Sequence, residues 1–206
     1  MQTEYTRLRL DEGDDDDQKD KNEQASEALI TRMMKTRTIL LSGEVNKALA
    51  ERVVRQLLLL EAEGDEPVRV FIDSPGGDAD AGFAIFDMMR FIKPDVYTVG
   101  MGLVASAGAL ILLASPKDHR LATPNSHYLI HQPLSGMRGV ATDIEIHANE
   151  LQKTRERINK LISEETGQDL AKVEKDTDRD FWMSAEEAQE YGLVSRLVAS
   201  RSALSG

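Results

Sequence analysis

The sequence has no cysteine. That excludes disulfides, thiolate metal centres and a cysteine nucleophile together. It is also short of positive charge, with 25 Lys and Arg against 36 Asp and Glu and a formal net charge of −11. An acidic chain has no general attraction for phosphate backbones or anionic lipid, so neither nucleic acid nor membrane is expected as a partner. Long hydrophobic runs are missing too. The longest apolar stretch, Val96 to Ala114, is interrupted by Tyr97, Thr98, three Gly and Ser106. A membrane span needs about 20 predominantly apolar residues, so this stretch reads as buried core. The beginning, Met1-Gln2-Thr3-Glu4, lacks the basic, apolar and small-residue order of a signal peptide. A cytoplasmic protein is the expectation. No internal repeat is visible.

What is there is enough for one domain: 206 residues, 41% hydrophobic, with a core that needs no covalent or metal staple. The acidity is uneven. Residues 11–25 hold eight acids, four of them the consecutive Asp14 to Asp17, against only Lys19 and Lys21. Such a run without aromatics cannot offset its ordering entropy by burial. Residues 1–26 are read as an acidic loop or arm, or as a merely solubilising tail.

From residue 27 helix and strand patterns alternate. Residues 27–36 read as a short helix and Thr38 to Leu41 as a strand. Leu49, Val53, Leu57 and Leu60 mark one face of a helix over Asn46 to Glu63. Strands are expected at 68–72, 96–99, 120–122, 127–130 and 193–198, and helices at 79–92 and 107–114. Thr142-Asp-Ile-Glu145 and Ser184-Ala-Glu-Glu187 have capping-box form. The first would open a helix of about 23 residues, roughly 35 Å. Its apolar stripe, with Ile144, Leu151 and Ile158, is too long for one small domain to cover, so a partner is expected. Repeated β-α-β alternation implies an α/β fold with much parallel sheet.

Three loops concentrate candidate chemistry. Asp73-Ser-Pro-Gly-Gly77 follows a strand, and its glycines permit positive φ and a close backbone approach. Gly100-Met-Gly-Leu-Val-Ala105 has glycines between strand and helix, but the acid that a dinucleotide site requires is badly spaced. Ser106 follows among small apolar residues, either as a helix N-cap or as a group that does chemistry. His131 ends an apolar strand. His127 and His131 have zinc-like i, i+4 spacing, but the prolines around them argue for a strand, so no metal is expected. Asp176, Asp178 and Asp180 flank Arg179 before Phe181-Trp182, where an acid beside two aromatics is expected to be partly buried. Each feature alone has a bland reading. Together they supply Ser, His and Asp plus glycines suited to an oxyanion hole, the parts needed for acyl transfer to water.

These residues carry a resemblance. Ser74-Pro-Gly-Gly77, Ala105-Ser106-Ala107-Gly108-Ala109, Pro124-Asn-Ser126, Ile130-His-Gln-Pro133, Ala141-Thr-Asp-Ile-Glu-Ile146, Asp176-Thr-Asp-Arg-Asp180 and Ser184-Ala-Glu-Glu-Ala188 stand in the order and spacing of the Clp protease proteolytic subunits. The chain resembles that serine peptidase family from about residue 28 to 198. The resemblance implies a crotonase-like α/β fold of repeated β-α-β units with a protruding strand-helix handle at 134–167, inside a catalytic domain at 27–198 and before a tail at 199–206. It implies Ser106 as nucleophile, His131 as general base and Asp180 as its orienting acid. It places the oxyanion hole at the amides of Gly77 and Ala107, and substrate contacts at Gly76, Gly77, Asp78, Ala79, Pro133 and Leu134. Asp178 and Arg179 fall at a contact between rings. Two stacked seven-membered rings, a tetradecamer, would enclose a chamber fed with unfolded protein by an ATP-driven AAA+ unfoldase. The subunit would need no cofactor, and the acidic run would line the entrance.

Arg69 and Thr123 stand where the family commonly has apolar residues of the unfoldase docking pocket, while Phe71, Phe91, Val99 and Leu121 keep the rest apolar. Asp78 stands where an apolar residue is usual. Two other functions are weighed: a catalytically silent ring subunit beside an active paralogue, and an acyl-CoA enzyme on the same fold, which would share the two-amide oxyanion hole but generally uses carboxylates rather than Ser, His and Asp.

Overall fold

The computed structural model describes residues 29–204. The acidic run at 11–25, the boundary expected after residue 26 and the last two residues lie outside them. The chain divides into two units, one ending at Thr36 and one running from Arg37. In the first, residues 29–35 form helix α1.

In the second unit, β1 (Thr38–Ser42), β2 (Val68–Ser74) and β3 (Val96–Ala105) run parallel, joined by α2 (Lys47–Glu63) and α3 (Ala79–Phe91). The predicted helical stripe is the buried one: Leu49, Val53, Leu57 and Leu60 are all buried, and the Asn46 side chain caps the helix by accepting from Leu49 N at 2.9 Å. In β2 burial alternates strictly, with Val68, Val70, Ile72 and Ser74 on the inner face. After β3 come α4 (Ala107–Leu112), β4 (Arg120–Ala122), β5 (His127–Ile130), α5 (Ala141–Thr166), α6 (Leu170–Asp176), β6 (Phe181–Ser184), α7 (Ala185–Tyr191) and β7 (Arg196–Leu197). The main sheet has the order β1-β2-β3-β4-β7, and β5 and β6 branch from the second half of β3.

That branching rests on β3 being longer than the sequence suggests. The expected strand stops at Val99, but the observed one continues to Ala105. Opposite β2, the two-residue step from Ile72 to Ser74 is matched by a four-residue step from Gly100 to Val104, so β3 bulges there. Gly102 makes the bulge possible. It sits at φ +56°, and a Cβ there would come within 2.7 Å of the Asp73 carboxylate. Before the bulge β3 pairs with β4; after it, Leu103 to Ala105 pair with His127 to Leu129. Glycines that read as a loop are therefore the point where one strand changes neighbours.

Four further expectations need correction. The capping box at Thr142 does not form: Val140 occupies the cap position in extended conformation and the helix begins at Ala141, so Thr142 is already inside the first turn. The box at Ser184 does form, with reciprocal bonds to Glu187. The expected strand at 193–198 shrinks to Arg196–Leu197. The stretch 134–140, read as the handle's strand, makes no regular ladder within this chain, since a strand needs a neighbour to bond. The handle helix itself is present. At 26 residues it is longer than expected, about 39 Å, and only Asn159, Ile162 and Thr166 are buried. Val140, Ile144 and Ile146 lie exposed at its start, with Leu134 and Met137 ahead of them.

Candidate active site

Three neighbouring strands each have a polar residue one step beyond the same end. Ser106 follows the last residue of β3, His131 follows the last of β5, and Asp180 precedes the first of β6. The parallel β3–β5 pair aligns Ala105 with Leu129, and Ser106 N donates to Leu129 O at 2.9 Å. The antiparallel β5–β6 pair aligns Ile130 with Phe181, so one step further His131 faces Asp180. Gln132 locks this end: its amide N donates to Thr177 O and its side chain to Asp178 O, both at 2.6 Å. The side chains then form a chain. His131 Nε2 lies 2.9 Å from Ser106 Oγ and His131 Nδ1 lies 3.0 Å from Asp180 Oδ1.

Ser106 is not serving as an N-cap, because its side chain makes no capping bond to α4. Its backbone has φ +53° and ψ −119°. A non-glycine residue there is strained and is held by its surroundings. The loop from β2 comes in beside it. At Gly76, φ +88°, a Cβ would lie 2.5 Å from Ser106 Cβ and 3.0 Å from Ala107 N, so only glycine allows this approach. Ser74 Oγ stiffens the loop by donating to Gly43 O and accepting from Gly76 N.

The same loop orients an amide. Val45 N donates to Gly76 O and Asp78 N donates to Val45 O, both at 2.8 Å. Across the trans peptide the Gly77 N–H must point opposite to the Gly76 carbonyl, hence away from Val45. The Ala107 N–H is one of the unpaired donors in the first turn of α4. Ser106, Gly77 and Ala107 all line one cavity of about 550 Å³.

Asp78, Ala79, Pro133 and Leu134 line that cavity, whereas Gly76 is buried beneath the Ser106 turn. Asp78 also caps α3 through Ala81 N. The three acids near the C-terminus separate. Asp176 binds Lys172 and the Tyr191 hydroxyl, Asp178 pairs with Arg155 on α5 at 3.2 Å, and Asp180 alone reaches His131. Asp180 is 62% exposed rather than partly buried, because Trp182 beside it points outward as well. Arg179 is exposed and, like Asp178, does not line the cavity.

Sequence reasoning did not foresee two parts of the site. Leu151 and Ile158, read as part of a stripe awaiting a partner, line the chain's own cavity together with Ile162. Ser135 and His147 also reach it and bond to each other at 2.7 Å. Behind the site, burial pushes the Tyr128 phenol up to about 12, and its hydroxyl is 3.0 Å from Ser126 Oγ. On the outer sheet face Phe71 packs on buried Val99, Leu121 and Val198. Ala203 and Leu204 cover the same cluster.

A family model described as Clp protease matches residues 20–201. The chain belongs to the Clp protease family. It is 63% identical over 176 residues to the ATP-dependent Clp protease proteolytic subunit 2 of Treponema denticola, covering 85% of this chain and 88% of that one. The ATP-dependent Clp protease proteolytic subunit 3 of Rhizobium etli is 53% identical over 169 residues, covering 82% and 87%. A solved structure of a ClpP1 variant from Listeria monocytogenes superposes with a TM-score of 0.80 at 49% identity, covering 85% of this chain and 99% of that one. The fold is that of the Clp proteases, and the activity of the family is that of a serine endopeptidase. No helix among the described residues is long and apolar enough to cross a membrane.

Proposed function

We propose that this chain is a Clp protease proteolytic subunit that hydrolyses peptide bonds of unfolded protein with Ser106 as nucleophile. The observation that carries this is the continuous bonding from Ser106 Oγ through His131 to Asp180 at 2.9 and 3.0 Å. His131 takes the hydroxyl proton as Ser106 attacks the carbonyl, and later gives it to the leaving amine. Asp180 holds the imidazole tautomer and stabilises the imidazolium. The N–H groups of Gly77 and Ala107 receive the oxyanion, each such donor typically contributing about 3–4 kcal/mol. The aligned triad supports an active subunit over a silent one. Gly77, Asp78, Ala79, Pro133 and Leu134 flank the bound peptide.

The subunit assembles into two stacked seven-membered rings, with Asp178 and Arg179 at the contact between them. The exposed apolar start of α5 supports such a partner. An AAA+ unfoldase hydrolyses ATP, docks by the Phe71 surface and feeds the chamber. Hydrolysis of a fluorogenic peptide by wild type and by Ser106→Ala tests the nucleophile. The variant is expected to assemble normally and to keep no activity. Retention of more than about a few per cent of the wild-type rate would contradict the assignment.

A further inference from the structure

The helix that follows Ser106 is six residues long, and the strained residue before it must be held from both sides. Upstream, the bond from Ser106 N to Leu129 O fixes it to β5. Downstream, backbone N–H groups of Leu113 and Ala114 close the last turn on Ala109, Leu110 and Ile111, and the next four carbonyls, Leu112 to Ser115, are each taken by a side chain. Thr98 Oγ1 donates to Leu112 O at 3.1 Å, and Arg90 donates to Leu113 O and Ala114 O at 3.2 and 3.0 Å. Arg120 Nε donates to Ser115 O at 2.7 Å.

Both arginines then converge on one carboxylate in the last turn of α5. Arg90 Nη2 reaches Glu165 Oε1 at 2.6 Å, Arg120 Nη2 bonds Oε2, and Arg120 Nη1 donates to the Glu165 main-chain carbonyl at 2.9 Å. The Arg120 side chain is 1% exposed. Burial lowers its pKa while Glu165 opposes that shift. Arg90 is better solvated and stacks over the Phe86 ring.

We propose that Arg90, Arg120 and Glu165 are positioning residues: a clamp that locks the far end of the Ser106 helix to the end of α5 and so aligns the nucleophile. The proposal rests on Ser106 being that nucleophile. The same α5 lines the cavity at its middle and is exposed at its start. Movement of this helix is therefore delivered to Ser106 through the clamp.

The test uses assembled full-length protein, with peptide kcat and KM and the rate of fluorophosphonate labelling at Ser106 read together. Glu165→Ala is expected to lose about tenfold in both kcat and labelling rate, with KM within about twofold, since small misplacements of reacting groups act on the chemical step. Glu165→Gln keeps an acceptor oxygen and is expected to recover most of the loss. An assembled Glu165→Ala that labels at the wild-type rate would overturn the clamp, whatever its melting temperature. If that variant does not assemble, Arg90→Ala decides. It leaves Arg120 paired, and a lowered labelling rate supports the clamp while an unchanged one overturns it. A wild-type protein that never labels at Ser106 would instead overturn the nucleophile reading, and the clamp with it.

Discussion

At Ser106 a side chain that might have capped a helix is turned to a histidine, and the backbone bears positive φ to do so. The arrangement depends on what is missing next door, since Gly76 leaves no side chain between the two loops. Gly76→Ala would bring a methyl 2.5 Å from Ser106 Cβ. A shift on the order of 1 Å should follow, with a loss of roughly 100-fold in kcat while the melting temperature changes modestly. Wild-type kcat in this variant would contradict the close approach. Tyr128 allows a pH prediction. An unfolded tyrosine ionises near about 10, whereas burial holds this one to about 12. Below pH 10 both states are neutral. Above it the unfolded state loses its proton first, so stability falls as pH rises through 10 to 12. Tyr128→Phe removes that part of the alkaline loss, which urea unfolding at pH 8 and pH 11 would reveal as a smaller difference than in wild type.

Strand β6 is the element that completes the site. It supplies the antiparallel partner that sets Asp180 opposite His131, and Met183 is the buried anchor that seats it. Met183→Ala should cost about 2–5 kcal/mol of stability, measured by denaturant unfolding. A cost below about 1 kcal/mol would mean that β6 is held by something other than this side chain. This strand was also the least legible in the sequence. Phe-Trp-Met-Ser is too short to show a period, and it read as two aromatics beside an acid. The missed helix α6 is likewise short and buries only Val173. Elements with several turns of periodicity, such as α2, were readable because their own residues decide which face is buried. Gly100 to Ala105 was not, because only the arrival of β5 turns a glycine loop into a strand. Ser106, His131 and Asp180 could be named from motif spacing; their alignment could not, since it comes from strand register between distant segments. Leu151 and Ile158 show the same limit: an amphipathic stripe states that a face is covered but not by what.

For the whole molecule, the exposed apolar start of α5 and the ladder-free stretch at 131–140 are two features among the described residues that one chain leaves uncovered. Pairing between copies would satisfy both. Arg179 is exposed next to Asp178, whose carboxylate is tied to α5 by Arg155. On the proposed ring contact, Arg179→Ala shifts the particle toward single rings in size-exclusion chromatography and lowers activity in parallel. Loss of activity with an unchanged double ring would contradict that role. The central claim is that the Ser106–His131–Asp180 chain makes this assembly a serine endopeptidase. The most direct measurement is to treat the purified particle with a fluorophosphonate and locate the adduct by peptide mass spectrometry, in wild type and in His131→Ala. The account predicts one adduct, on Ser106, that disappears in the variant. An adduct on another serine, or one on Ser106 that forms equally fast without His131, would contradict it.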